Sequence, residues 1–171
     1  MILAKEEILL ELRKGALKIT PFDEKNVGEC SVDLTLGKEF RKLKRMRVLE
    51  VEEKIEMITK HSTKETLTNK QTLTLKPNEL ILGITEETIK MPEYLCGWIQ
   101  GRSRFARIGL MVHISSSLIQ PGVENRQVLE IVNLSPNALV LRPGLKICQV
   151  VFEKLTSPAR HRGVFSKQQA P

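Results

Sequence analysis

The stretch that decides how this chain is read is GRSRFARIGLMVHISSSLIQPGVENRQVLEI, residues 101–131. It opens on a Gly-Arg-Ser turn carrying Arg102, Arg104 and Arg107, and it bends at Pro121-Gly122. After Arg126 it enters an apolar run in which one carboxylate, Glu130, stands among Val128, Leu129, Ile131 and Val132. Written as a strand, that run puts Val128, Glu130 and Val132 on one face and Leu129 and Ile131 on the other. Both faces are apolar, so Glu130 is expected to leave water. A carboxylate withdrawn from water needs a partner or a proton, and such a setting is where general bases are made.

Outward from this stretch the chain is rich in short strands. SVDLTLG at 31–37 alternates, with Val32, Leu34 and Leu36 facing inward. Further short runs lie at 72–76, 80–84, 95–99, 138–141 and 147–155, separated by Pro77-Asn78, Pro92-Glu93 and Pro143-Gly144 turns. Regular short strands with such turns indicate a mainly β sandwich or barrel. Ala4 to Lys14 reads as a helix, with an apolar stripe of Ile8, Leu9 and Leu12, acidic residues at its start, basic ones at its end and Gly15 as its stop. The polar segment 59–71 reads as a surface loop or arm. The basic run Arg41 to Arg47, followed by Glu50 to Glu56, reads as a solvated strand pair of mixed charge.

At 171 residues the expectation is one β domain over 1–156, large enough for a substantial core. The basic, Gln-containing tail 157–171 has almost no core residues and needs a partner or ligand to order it. The formal charge of +7 fits nucleic acid, an anionic small molecule or neither. One Trp and one Tyr are too few for a single-strand stacking platform, so nucleic acid is not expected. No apolar run is long enough for a membrane-spanning helix, and the acidic residues after Met1 do not fit a secretory signal. The expected location is therefore cytoplasmic. Cys30, Cys96 and Cys148 are isolated and share no ligand spacing with His61, His113 or His161. They read as small buried hydrophobes, and zinc is not expected.

Ser103 suits an N-cap, and a helix opening there would expose free N–H groups to an anion, with Arg102 and Arg104 adding bonds to phosphate oxygens. A Ser-capped surface turn with solvated arginines fits the same residues. On residue types alone, Arg107 and Glu130 also fit an ion pair that merely fixes packing.

Taken together, SVDLTLG at 31–37, GWIQGRSRFARIGLMVH at 97–113, IQPG at 119–122, VLEIVN at 128–133, LRPG at 141–144 and LTSP at 155–158 resemble the dCTP deaminase family of the dUTPase-like superfamily. The resemblance spans nearly the whole chain. It implies a distorted, jelly-roll-like β barrel of dUTPase type with few short helices, assembled as a homotrimer with sites between subunits. It also implies hydrolysis of dCTP to dUTP and ammonia without zinc, with Glu130 activating water and Ser103 and Arg107 completing the catalytic group. Arg102, Arg104, Gln120, Gln168 and the backbone of Ile114, Ser115 and Ser116 would bind the nucleotide. Magnesium would ride on the substrate triphosphate, and the tail would cover the site of a neighbouring subunit.

The chain departs from the family where an acidic residue is common and Gln120 stands. Related dUTPases use that acid to hydrolyse the phosphate chain, so Gln120 counts against a dUTP diphosphatase or a dUMP-forming bifunctional enzyme. Val123, Ser117 and Arg104 are further departures, and the segment before Gln168 is shortened. They keep open a non-catalytic nucleotide-binding protein.

Overall fold

The computed structural model describes residues 1–54 and 56–171. Helix α1 (Lys5–Arg13) is followed by Gly15 at φ 70°, a left-handed turn that glycine makes without a Cβ penalty. Strands β1 (Lys18–Thr20), β2 (Val32–Thr35) and β3 (Glu39–Leu43) lead to the short α2 (Glu56–Lys60). Then come β4 (Ser62–Thr66), β5 (Leu73–Leu75), β6 (Leu80–Lys90) and β7 (Leu95–Gly101). The second half holds α3 (Ser103–Ala106), β8 (Leu110–Val112), β9 (Leu118–Ile119), β10 (Glu124–Asn133), β11 (Leu139–Leu141) and β12 (Lys146–Lys154).

The strands form a six-stranded sheet, β4-β3-β6-β10-β8 with β1 also on β6, a four-stranded sheet, β2-β12-β7-β9, and the pair β11-β5. All pairings are antiparallel. The mainly β, jelly-roll-like architecture is thus as expected, laid out as separate sheets around one core. Val32, Leu34, Ile99, Val150 and Phe152 of the smaller sheet and Phe40, Ile81, Leu129 and Ile131 of the larger one belong to a single buried cluster. Phe40 and Phe152 are fully buried, each contributing about 1.5–3 kcal/mol of apolar burial.

Two expectations fail on the periphery. The segment 59–71 is not simply a loop: it contains the end of α2 and the strand β4, which pairs with β3 from Glu39↔Thr66 to Leu43↔Ser62. An edge strand is held by backbone bonds and can be polar on both faces, so it shows no alternation. The basic run therefore pairs with 62–66 rather than with the acidic 50–56. Lys42 meets Glu65 at 2.8 Å, and Lys64 meets Glu39.

Between β10 and β6 the register slips, with Arg126 opposite Thr88 but Val128 opposite Ile84. The irregularity is built from side chains. Thr85 Oγ1 donates to the Glu87 carbonyl (2.8 Å) and accepts from the Gln127 amide (2.9 Å). Glu87, buried beside it, accepts from the Thr35 amide at 2.9 and 3.1 Å, and burial pushes its carboxyl above the ordinary range despite those bonds. Glu87 thus ties the end of β2 to β6, and Thr85 ties the bulge of β6 to β10, the strand that carries Glu130.

Candidate active site

Glu130 lies on the outward face of β10. That strand alternates, with Asn125, Gln127, Leu129, Ile131 and Asn133 buried and Arg126, Val128, Glu130 and Val132 half-buried. The expectation of two buried faces is corrected: only Leu129 and Ile131 face the core. Val128 lines an open cleft and Val132 is half-buried, and the apolar character of these two residues does not distinguish such a face from an interior.

The carboxylate is clasped by the segment 113–117. Its Oε2 accepts from the amides of Ile114 (3.1 Å) and Ser115 (2.9 Å), and the Ser115 hydroxyl lies 3.2 Å from Oε1 and 3.1 Å from Oε2. The segment is not a hairpin, because β8 pairs with β10 in one sheet and β9 with β7 in the other. The chain crosses between sheets here, through His113 at φ 61°. The His113 amide donates to the Glu130 carbonyl (2.7 Å), and its ring Nε2 lies 2.6 Å from the Ser116 carbonyl. A carbonyl only accepts, so Nε2 carries the proton. Nδ1 is then a buried acceptor, without a partner among the described residues.

Behind Glu130 opens a cavity of about 380 Å³ whose walls include His113, Ser116, Gln120, Arg126, His161 and Gln168. Arg126 and Glu130, four residues apart on one strand face, stand roughly 13 Å from each other at the usual rise. The cavity is thus acidic at one end and basic at the other. Arg126 is anchored by Glu39 (3.0 Å) and the Thr85 carbonyl (2.6 Å). It passes so close to Gly37 that a Cβ there would lie 2.7 Å from its Nη2. The tail supplies the last wall. Its 3-10 turn, Val164–Lys167, is held by the Asn125 amide on the Phe165 carbonyl (2.8 Å) and the Arg126 amide on the Gln168 carbonyl (3.0 Å).

The arginine-rich turn lies elsewhere. The residue preceding α3 as its N-cap is Arg102, not Ser103, and no side chain caps it. Ser103 is thus not the expected N-cap, and four residues make barely one turn and little dipole. Arg102 pairs with Asp33 (3.1 Å) and donates to the Lys146 carbonyl (2.9 Å), tying β2 and β12 together. Ser103, Arg104 and Arg107 are exposed, and no hydrogen bond or ion pair joins Ser103 or Arg107 to Glu130 among the described residues. Arg107 instead lines a separate hollow with Ile108, Gly109, Ser135 and Asn137.

A family model described as dCTP deaminase-like matches residues 2–155. A protein of Methanobrevibacter smithii named "dCTP deaminase, dUMP-forming" is 35% identical over 92% of this chain and 82% of its own length. One of Natronomonas pharaonis named "dCTP deaminase" is 34% identical over 93% and 83%. The chain belongs to the dCTP deaminase-like family. A solved 2'-deoxycytidine 5'-triphosphate deaminase from Agrobacterium tumefaciens shares the fold with a TM-score of 0.69 at 18% identity; the match covers 88% of this chain and 47% of that one.

Within this family member, one chain brings together Glu130, Ile114, Ser115, Ser116, Gln120 and Gln168 and leaves Ser103, Arg104 and Arg107 outside the group. Arg126, His113 and His161 were not singled out as site residues from sequence, although all three line the cavity. Arg126 and His113 stand inside the decisive stretch. The signal that could have found Arg126 is its place on the Glu130 face of the strand. His161 had none, because only folding of the tail brings it there. Cys148 is fully buried, and burial, aided by Glu87 and Asp33, pushes its thiol up, so it offers no thiolate.

Proposed function

We propose that this chain hydrolyses dCTP to dUTP and ammonia. The observation that carries the reading is the clasped Glu130 carboxylate at the acidic end of the cavity. Two amides orient Oε2, while Oε1 meets only the Ser115 hydroxyl and retains a lone pair for a water proton. Glu130 takes that proton and passes it to N3 as the water oxygen bonds to C4 of the cytosine; the remaining proton of the new C4 hydroxyl then moves by way of Glu130 to the amine as the C4–N bond breaks, leaving C4=O and ammonia. The amides of Ile114 and Ser115, expected to read the pyrimidine edge, serve first to fix this base. In a homotrimer, Ser103 and Arg107 of a neighbouring copy would complete the group. Exposed apolar side chains near that turn, including Ile108, Met111, Ile114 and Leu118, support such a contact. Magnesium suits the triphosphate rather than the protein. The basic end of the cavity offers Arg126 and Gln168, partners for phosphate oxygens and not for a hard cation.

A second reading, a dUMP-forming enzyme, is favoured by the name of the Methanobrevibacter smithii relative. Gln120, on the cavity wall, speaks against it, because an amide cannot take a proton from water attacking phosphorus. The test is to incubate the protein with dCTP and magnesium and follow ammonia and pyrophosphate separately. Ammonia alone is expected. Pyrophosphate would select the second reading, and the absence of both products would remove deamination.

A further inference from the structure

We propose that His161 is a ligand for the polyphosphate of the bound nucleotide, carried on the tail of the same chain that supplies Glu130. The inference rests on the reading of the cavity as a nucleotide site and adds a residue to it.

The tail reaches the cavity by a defined route. The Ala159 amide donates to the Glu93 carbonyl (2.8 Å), Arg160 pairs with the Glu93 carboxylate (3.5 Å), and the His161 amide donates to the Pro121 carbonyl (2.9 Å). The tail is seated on the Pro121-Gly122 turn so closely that a Cβ on Gly122 would lie 2.9 Å from Arg160 Cγ. His161 is fixed at the cavity wall by its own backbone, yet neither ring nitrogen has a hydrogen-bond partner among the described residues. Its ring lies against Gly163, where a Cβ would collide with Nε2. A backbone-anchored, half-buried imidazole with free nitrogens, aimed at a cavity, is arranged for a ligand.

Charge identifies which part of the ligand. The groups lining the cavity on this side are Arg126 on β10, His161 itself and Gln168. The facing carboxylates are already engaged: Glu39 by Arg126 and Lys64, and Glu93 by Arg160. The free acidic group in the cavity is Glu130 at the other end. A chain of phosphates matches the tail side, and a neutral pyrimidine matches the Glu130 side.

The experiment measures binding of dUTP and dUMP by titration calorimetry to the full chain, in a Glu130→Gln background so that nothing turns over. His161→Ala is expected to weaken dUTP about tenfold, one charge-assisted hydrogen bond, and dUMP less than twofold. His161→Gln is expected to recover part of the loss. Gly163→Ala, which displaces the ring without removing it, is expected to act in the same direction. Equal losses for both nucleotides, or none, would overturn the assignment. Mixed oligomers of Glu130→Gln and His161→Ala chains distinguish the source of the ring. If His161 serves its own chain, the KM for dCTP stays at the His161→Ala value, and recovery of the wild-type KM would place the ring in a neighbour's site. Wild-type protein that binds dUTP but releases no ammonia would sink the deaminase reading without touching His161.

Discussion

Two regions of this molecule carry chemistry-bearing residues, and they are built in opposite ways. Around Glu130 the polar groups are bonded within the chain: Ile114 and Ser115 hold the carboxylate, Glu39 and Thr85 hold Arg126, and the tail closes over them. At α3, Ser103, Arg104 and Arg107 stand exposed on a helix of four residues. The first region is preorganised, and in the second no hydrogen bond or ion pair joins Ser103 or Arg107 to Glu130 among the described residues. In one chain the carboxylate and the arginine expected beside it are unbonded, and under the proposed function the second region would serve the site of another copy.

The sharpest way to break this comparison is to remove the base. Glu130→Gln is expected to lower ammonia release from dCTP by about 10²–10⁴-fold, with dUTP binding retained by calorimetry. A near-normal rate would take the first region out of the chemistry. Next, Arg107→Ala alone is expected to be as inactive as Glu130→Gln. Mixing the two inactive proteins and re-forming oligomers is expected to restore activity in about a quarter of the sites. No recovery would mean that both residues act within one chain and that the two regions close on each other.

A smaller effect tests how rigidly the first region is held. Burial raises the Glu87 carboxyl above 4.5, so its stabilising contribution is present below that value and is lost as pH climbs through the folded pKa. Glu39 is the reverse. Contact with Lys64 and then Arg126 lowers its pKa, against a desolvation that raises it, so its contribution is present above 4.5 and lost on acidification. Melting curves are expected to show Glu87→Gln flattening the loss of stability above 4.5, and Glu39→Gln destabilising at neutral pH while converging with wild type in acid. Parallel curves for all three proteins would sever the bulge from the stability of β10. The smallest change is Lys42→Ala, which removes a half-exposed pair with Glu65 and is expected to cost at most about 1 kcal/mol in denaturant unfolding.

Much of the fold was legible. Helix α1 lies within one residue of its expected ends, and SVDLTLG buries Val32, Leu34 and Leu36 as its alternation requires. Strand β4 was not legible, because an edge strand has no apolar face to report. The cavity set from Ile114 to Gln120 with Glu130 was readable as a group. Its internal bonding was not: the amides expected to face a pyrimidine are on the carboxylate, and Arg102, expected on phosphate, is on Asp33. Such choices depend on which backbone donors the folded loop leaves near which acceptor, and spacing along a chain does not encode that distance.

What the residues by themselves determined is the class of fold and the strand that carries Glu130, because period-two alternation and turn chemistry are local properties of the chain. Which groups share a cavity was decided only by the tertiary structure. There a crossing loop, a bulged strand and a tail from three parts of the chain meet around Glu130, while α3, adjacent in sequence, is carried away by the strands that flank it.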